Sequence, residues 1–184
     1  MKITRSPLPR NSLAGDFLPS DYVETYCVIV QEHSRLTPDN ILIGFWTDFP
    51  GWVRALFRLR DCLAGPFGLK AAGSAESSVQ KFGEVIRSGG RMYFMSVPAK
   101  TADETVLQLT DKHLTAELSV RNEKSDDGRL KISITTLVHY HNAFGRIYFF
   151  FVRPFHKIIV KALIRRSIRR LMNQPEGGAV FPPA

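Results

Sequence analysis

The amino-acid sequence predicts an α+β fold in which an antiparallel sheet is covered by one long C-terminal helix. Several segments between residues 21 and 140 carry apolar or β-branched residues with the period of a strand. From His141 to Met172 the apolar residues recur instead with the period of a helix. Because the later strands are separated only by short turns, we expect a meander of strands with the helix packed across one of its faces.

The first strand is predicted from Asp21 to Gln31, a segment rich in β-branched and aromatic residues on both faces. A short helix is predicted next, because Thr37 is a candidate N-cap and Pro38 stands at the first helical position, which tolerates a residue without an N–H. We expect this helix to end near Trp46.

A second short helix is predicted after Pro50, because apolar residues recur at three- and four-residue steps from Trp52 to Leu63. Gly65 and Pro66 end this pattern, and the small polar stretch Ala71–Ser78 is expected to be a loop. Two short helices should therefore follow the first strand.

Four further strands are predicted after the Gly89-Gly90 pair, where the apolar period changes to two. Turn residues at Asp111-Lys112 and at 125–128 separate the last three of them, which makes an antiparallel arrangement the natural one. The predicted segments are Met92–Val97, Thr105–Leu109, Leu114–Val120 and Leu130–Tyr140.

The long helix is predicted to begin after Asn142, which is a suitable N-cap. Pro154 lies inside the pattern and predicts a kink between Phe150 and Phe155, since proline removes a backbone hydrogen bond. One apolar stripe is expected to face the sheet, made of Tyr148, Phe151, Val152, Phe155, Ile159, Ala162 and Leu163.

These elements predict one folded domain at residues 20–172. Residues 1–19 contain three prolines and no period, which indicates an irregular N-terminal arm, and residues 173–184 have the composition of a flexible tail. A chain of 184 residues with a hydrophobic fraction of 44% can bury a sizeable core.

The positive charge is concentrated in one segment. The chain carries a net charge of +8, and residues 129–174 contain ten Lys or Arg and no Asp or Glu. We rank a solvated helix face that offsets the macrodipole first, contact with an anionic membrane surface second, and nucleic acid third, since no nucleic-acid-binding module is recognisable. A homo-oligomer is also compatible with the sequence.

The remaining composition predicts a cytoplasmic protein without a cofactor. Cys27 and Cys62 lack metal-ligand spacing and are expected to be free thiols in a reducing compartment. No signal peptide and no apolar run of membrane-spanning length is visible. The sequence also contains no G-x-G-x-x-G motif for a dinucleotide.

Several segments resemble the domain of unknown function 2867 family: Pro50–Asp61 with Phe67–Lys70, Asp111–Leu114 and, most specifically, His141–Val160. The resemblance extends from about Asp21 to Met172. The order of elements also resembles the helix-grip arrangement of START-like and birch-pollen-allergen-like proteins, the SRPBCC superfamily. That resemblance implies a curved sheet wrapped around the C-terminal helix and a ligand cavity between them, with no established activity.

We therefore expect the protein to bind a small hydrophobic molecule, since ligand pockets are mostly apolar with a few polar groups. Ordinary core packing is the alternative role for most of the aromatic residues. The residues expected to line the pocket are Trp52, Arg60, Phe94, Leu118, Ile134, Tyr140, Tyr148, Phe151 and Phe155.

A cyclase- or dehydratase-like enzyme is the alternative use of the same pocket. Its polar participants would be Arg60, Asp61, His113 or His156, although neither histidine has a visible partner nucleophile. For the Arg60-Asp61 pair a structural clamp to a neighbouring loop is the competing explanation.

A metal site is not predicted. His139 and His141 flank Tyr140 and so project to one sheet face, a spacing compatible with a shared metal. No third ligand is evident, and hydrogen bonding at the start of the helix accounts for His141 more simply.

Overall fold

The computed structural model describes residues 1–56, 79–92 and 94–174. Its helices are α1 (Pro38–Thr47), α2 (51–56 within the described residues), α3 (Val79–Ser88) and α4 (Ala143–Asn173), and a 3-10 helix covers Leu13–Phe17. Its strands are β1 (Ile3–Ser6), β2 (Tyr22–Gln31), β3 (Arg91–Met92), β4 (Met95–Lys100), β5 (Glu104–Thr110), β6 (Leu114–Lys124) and β7 (Arg129–Tyr140).

The seven strands form one curved, open antiparallel sheet in the order β1-β2-β7-β6-β5-β4-β3. In the register of β2 with β7, Tyr22 lies opposite Val138 and Gln31 lies opposite Arg129. Because β7 is flanked by β2 and β6, and α4 begins three residues after it, the long helix starts over the interior of the sheet. This confirms the predicted α+β fold of an antiparallel sheet with a long C-terminal helix.

One face of the sheet packs against α1, α3 and α4 and forms the main core. Alternate residues of the long strands point to this face, as the period of two requires. Burial of each large apolar side chain contributes about 1.5–3 kcal/mol, so this layer is the main source of stability. Its fully buried members include Ile41, Leu42, Ile43, Ile86, Leu107, Ile132, Ile134, Ile164, Ile168 and Leu171.

Helix α1 joins the sheet to the second half of α4. Thr37 caps its first turn by accepting a hydrogen bond from the Asn40 N–H at 3.2 Å, as the sequence predicted. Asp48 at its C-terminal end accepts a hydrogen bond from Arg166 of α4 at 2.8 Å. Gly44 allows close contact between the two helices, because a Cβ there would lie 2.8 Å from Ser167 Oγ.

The opposite face of the sheet carries more polar side chains, and the 3-10 helix of the N-terminal arm packs on part of it, over β5 to β7. Where the sequence indicated an irregular segment, Ile3–Ser6 pair with β2 and a 3-10 helix begins after its N-cap Ser12. A strand of four residues is too short to show a period, which is why it escaped the sequence pattern.

Two other elements differ from the sequence prediction. The single strand predicted at Met92–Val97 is instead a pair of short strands, β3 and β4, with a turn at Phe94. Helix α3 was not predicted; it ends at Ser88, just before Gly89, whose positive φ of 72° is the conformation that commonly terminates a helix.

Helix α4 begins as predicted, with Asn142 Oδ1 accepting a hydrogen bond from the Gly145 N–H at 2.9 Å. It runs through Pro154 without interruption, and a bend there stays a prediction. The predicted apolar stripe was wrong for its first half, because Phe151 and Phe155 are exposed. The buried residues of α4 are Gly145, Phe149, Val160, Leu163, Ile164, Ser167, Ile168 and Leu171.

Several predicted features lie outside the described residues. They are the second short helix beyond residue 56, the loop at Ala71–Ser78, Cys62, and the tail from residue 175 onward.

Candidate functional site: a polar cluster between β2 and α4

A single acidic side chain, Glu24, stands on the apolar face of β2. Tyr22 and Tyr26 lie two residues to either side and therefore point to the same face. All three side chains are buried, with Glu24 only 3% exposed. A buried carboxylate on a helix-facing surface is costly unless neighbouring groups compensate it, so its surroundings indicate what the site does.

His156 of α4 lies over this part of the sheet. It is seven residues after Phe149 and four before Val160, so all three share the buried side of the helix. The centroid of its ring is 6.3 Å from that of Tyr22 and 6.1 Å from that of Phe149. Burial lowers the pKa of the imidazole, and the nearby Glu24 carboxylate offsets this only in part. His156 is therefore neutral at pH 7.

Three buried atoms of this cluster lack a hydrogen-bond partner among the described residues: Tyr22 Oη, Glu24 Oε2 and His156 Nε2. Each such atom costs about 1–3 kcal/mol of stability when nothing satisfies it. The three side chains are neighbours, which makes this the candidate position for a polar group from outside the chain.

Glu24 raises the pKa of both Tyr22 and Tyr26. Burial first, and then Glu24, raise the pKa of the Tyr22 hydroxyl, and the same two causes raise the pKa of Tyr26 to about 12. Both hydroxyls are therefore protonated donors at neutral pH. Tyr22 and Glu24 are close enough for the carboxylate to raise the pKa of the tyrosine, although Tyr22 Oη and Glu24 Oε2 do not meet hydrogen-bond geometry in this structure.

Cations of α4 close the cluster from the helix side. The Arg153 guanidinium lies 5.1 Å from the centroid of the Tyr22 ring, and Lys161 Nζ lies 5.0 Å from that of Tyr26. Tyr22 and Tyr26 are four residues apart, which is about 13 Å along a strand. Arg153 and Lys161 are eight residues apart, which is about 12 Å along a helix, so the two spacings match. Helix α4 therefore runs alongside β2 over the whole cluster.

An apolar wall lines one end of the cluster. Tyr22 packs on Phe149 with ring centroids 4.9 Å apart, and Tyr140 lies 5.8 Å from the same ring. Val138 completes this small core, and Leu114 and Ala116 pack against it. The cluster thus combines a few polar atoms with an apolar surround, which is the composition of a ligand pocket.

The residues predicted to line a pocket are dispersed in the structure. Ile134, Leu118 and Tyr140 lie on the helix-facing side of the sheet, buried or partly buried. Tyr148 is partly buried and packs on the His113 ring at 5.2 Å. Arg60 and Asp61 lie outside the described residues. The exposed members are Trp52, Phe94, Phe151 and Phe155.

The other histidines have local partners. His113 is buried beside Phe144, and its carbonyl accepts a hydrogen bond from the His141 N–H at 2.9 Å. The ring of His141 bonds Thr115 Oγ1 at 3.0 Å, and His139 Nε2 lies 3.3 Å from a Glu117 carboxylate oxygen. In the described ranges, no three His, Cys, Asp or Glu side chains are grouped to hold a metal ion.

Comparison with known proteins identifies the family. A model of proteins of unknown function, DUF2867, matches residues 17–163, which is most of the chain. The chain belongs to the DUF2867 family. No curated protein and no solved structure matches it. Within the described part of this DUF2867 chain, no helix is both long and apolar enough to cross a membrane.

Of the side chains in this cluster, the sequence had indicated only His156 and Tyr140 as candidate site residues. It missed Tyr22, Glu24 and Tyr26 because both faces of β2 have mixed polarity. One signal was available: Glu24 is the only charged residue between Asp21 and Glu32, and a lone charge in a strand with two partly apolar faces is unusual.

Proposed function

We propose that this protein binds a small hydrophobic molecule with one hydroxyl-like polar end, between β2 and the first half of α4. The proposal places the chain with the helix-grip proteins, whose sheet and C-terminal helix enclose a ligand. Support comes from the long helix over an open curved sheet, and from the polar cluster between the two.

The observation that carries this proposal is that three neighbouring side chains each have a buried polar atom without a partner among the described residues: Tyr22 Oη, Glu24 Oε2 and His156 Nε2. A hydroxyl both donates and accepts, so one such group can donate to Glu24 and accept from Tyr22. The aromatic wall at Phe149 and Tyr140 then suits the apolar body of the same molecule.

The binding test uses 2-naphthol as the probe and 2-methylnaphthalene as its matched control without a hydroxyl. Titration calorimetry should show saturable binding of 2-naphthol, about tenfold or more tighter than the control, because one hydrogen bond to a buried charged group is worth about 1.5–3 kcal/mol. Glu24→Leu and Tyr22→Phe should remove this preference. Native mass spectrometry of the freshly purified protein should show a bound apolar molecule.

Equal affinity for the two probes, or a preference that survives Glu24→Leu, would overturn the proposed site. The exposed residues of α4 provide the control: Phe151→Ser with Phe155→Ser removes surface apolar area and should leave the preference intact. Loss of the preference in this surface variant would mean that 2-naphthol binds outside the cluster.

A second function is favoured by one feature of the same site. His156 is neutral, and its Nε2 has no partner among the described residues. Its ring lies near the Tyr22 ring and the Glu24 carboxylate, and such groups together can move a proton to and from a bound molecule. This supports an acid–base enzyme, of cyclase or dehydratase type, at the same cluster.

The enzyme proposal is tested with 2-tetralone, a hydrophobic ketone whose protons beside the carbonyl exchange by acid–base catalysis. In deuterated buffer the protein should accelerate that exchange, and His156→Phe should abolish the acceleration. The preference for 2-naphthol over 2-methylnaphthalene should survive in this variant, because Glu24 and Tyr22 make the two hydrogen bonds to its hydroxyl. Exchange at the rate of buffer alone would leave binding as the only function of the site.

A further inference from the structure

The first half of α4 has a second apolar face that points away from the core. Ile147, Phe151 and Ile158 follow the steps i, i+4 and i+11, so they lie on one side of the helix. Phe150 and Phe155 flank this line, and all five side chains are between 52% and 72% exposed. We call these five residues the outer face.

The outer face lies opposite the buried one. Phe149 and Val160 mark the buried side, and Phe151 and Ile158 are each two residues away from them, a turn of roughly 200° about the helix axis. Removal of outer-face residues therefore leaves the contacts of α4 with the sheet in place. A contiguous group of three phenylalanines and two isoleucines is far more than the scattered apolar residues of an ordinary surface.

Cations surround and extend this face. Arg153 and Lys157 border an open groove of about 430 Å³ whose other lining residues are Phe150, Phe151, Pro154 and Phe155. Arg165 and Arg169 continue the same side of the helix and are exposed. Residues 129–174 contain no acidic residue that would neutralise them.

We propose that the outer face docks on an anionic membrane surface. Helices that lie in a bilayer interface combine aromatic and aliphatic residues that enter the headgroup boundary with Lys and Arg that contact anionic lipid. The outer face supplies the apolar part, and the cations beside it and further along the helix supply the charged part. Its phenylalanines provide the inserted area, and Lys157, Arg165 and Arg169 provide the electrostatic attraction.

The same charges argue against two other occupants. A second copy of this chain packed face to face would bring together two segments that have only positive charge, which repel. Nucleic acid is bound through phosphates and stacked or paired bases, and it offers no apolar layer for five aliphatic and aromatic side chains. Lipid satisfies both the apolar and the cationic part.

The test is flotation of the full chain with vesicles of phosphatidylcholine containing phosphatidylserine, and with vesicles of phosphatidylcholine alone. The protein should float with the anionic vesicles, and high salt should weaken this binding because it screens the exposed cations. Association with pure phosphatidylcholine should be about tenfold weaker or more, since the attraction of several cations is lost.

Two variants separate the apolar and electrostatic contributions. Phe150→Ser with Phe151→Ser and Phe155→Ser should abolish flotation. Arg165→Glu with Arg169→Glu should reduce it about tenfold or more on anionic vesicles only. The matched controls are Leu18→Ser with Ile29→Ser, two exposed apolar residues elsewhere, and Lys81→Glu with Lys112→Glu, which changes the net charge equally. Both controls should float like the wild type.

The proposal is overturned if the wild type does not float, or if the control variants lose binding as much as the outer-face variants. It is also overturned if sedimentation shows a dimer or a bound protein partner that the phenylalanine variant dissociates. The 2-naphthol preference for the polar cluster is independent of every one of these outcomes, because the outer face and the cluster lie on opposite sides of α4.

Discussion

The Ser12 hydroxyl donates a hydrogen bond of 2.6 Å to the Glu104 carboxylate and joins the N-terminal arm to β5. Ser119 donates to the same carboxylate at 2.6 Å and the Leu13 N–H at 2.9 Å. Burial alone would raise the pKa of Glu104, but these hydrogen bonds outweigh it and hold the pKa below its usual range. One buried carboxylate thus fixes the start of the 3-10 helix onto the sheet.

Glu104→Gln should lower the free energy of unfolding by about 1.5–3 kcal/mol at pH 7, since it weakens charge-assisted hydrogen bonds. The wild-type contribution is present above the unfolded pKa of about 4.3 and is lost as the pH falls through the lower folded value. The variant should therefore lose less stability in acid. Urea unfolding followed by circular dichroism from neutral to acidic pH measures both effects.

The exposed Glu84 of α3 provides the comparison, because Glu84→Gln makes the same chemical change at the surface. It should leave both the stability and its dependence on pH close to those of the wild type. An identical acid response in Glu104→Gln and the wild type would contradict the assignment.

Gly44→Ala should destabilise the protein by about 1–3 kcal/mol, because the added methyl group would lie within 2.8 Å of Ser167 Oγ at the contact between α1 and α4. Ser167→Gly should relieve part of this cost in the double variant, which a double-mutant cycle of thermal unfolding would reveal as favourable coupling. Gly51→Ala is the control, since no atom lies within 4 Å of the added Cβ. Equal losses at positions 44 and 51 would refute a packing cause.

His156→Phe should reduce the loss of stability on mild acidification. Burial lowers the pKa of His156 in the folded state, so below the solution value of about 6.5 the unfolded chain takes up a proton first and is favoured. The wild type should lose stability from that pH downward, and the variant should lose less. NMR of the imidazole should show a neutral ring at pH 6; a protonated His156 there would contradict the expectation.

Glu24→Leu should leave the free energy of unfolding unchanged or raise it by about 1 kcal/mol. It replaces a buried carboxylate, one oxygen of which has no partner among the described residues, with an apolar side chain. The same variant should lose the preference for 2-naphthol. Stability retained or gained together with binding lost is the signature of a residue kept for function. A loss of several kcal/mol in guanidinium unfolding would instead give Glu24 a structural role.

Local sequence signals predicted much of the fold. Thr37 and Pro38 marked the start of α1, Asn142 marked the start of α4, and period-two segments marked β2 and β5 to β7. These signals work because capping, turn formation and side-chain alternation depend on residues only a few positions apart. The short strand β1 and helix α3 carried too few periodic residues to be recognised.

The candidate site was much less predictable. Glu24 and His156 are separated by 132 positions, and no spacing rule connects a residue of β2 with one of α4. Their approach follows from the sheet order, which sets β2 beside β7 and so brings α4 back along β2. Only the tertiary structure shows that Glu24 and His156 are buried neighbours.

By itself the sequence determined that strands are followed by one long helix with all its charge positive, since composition and periodicity are local properties. The tertiary structure decided which side of that helix is inside. Its first half carries apolar residues on two faces, and periodicity alone does not distinguish the face that packs in the core from the exposed one. Packing on Tyr22 and Tyr140 buries Phe149 and leaves Phe151 in solvent, because only one side of α4 can meet the sheet at a time.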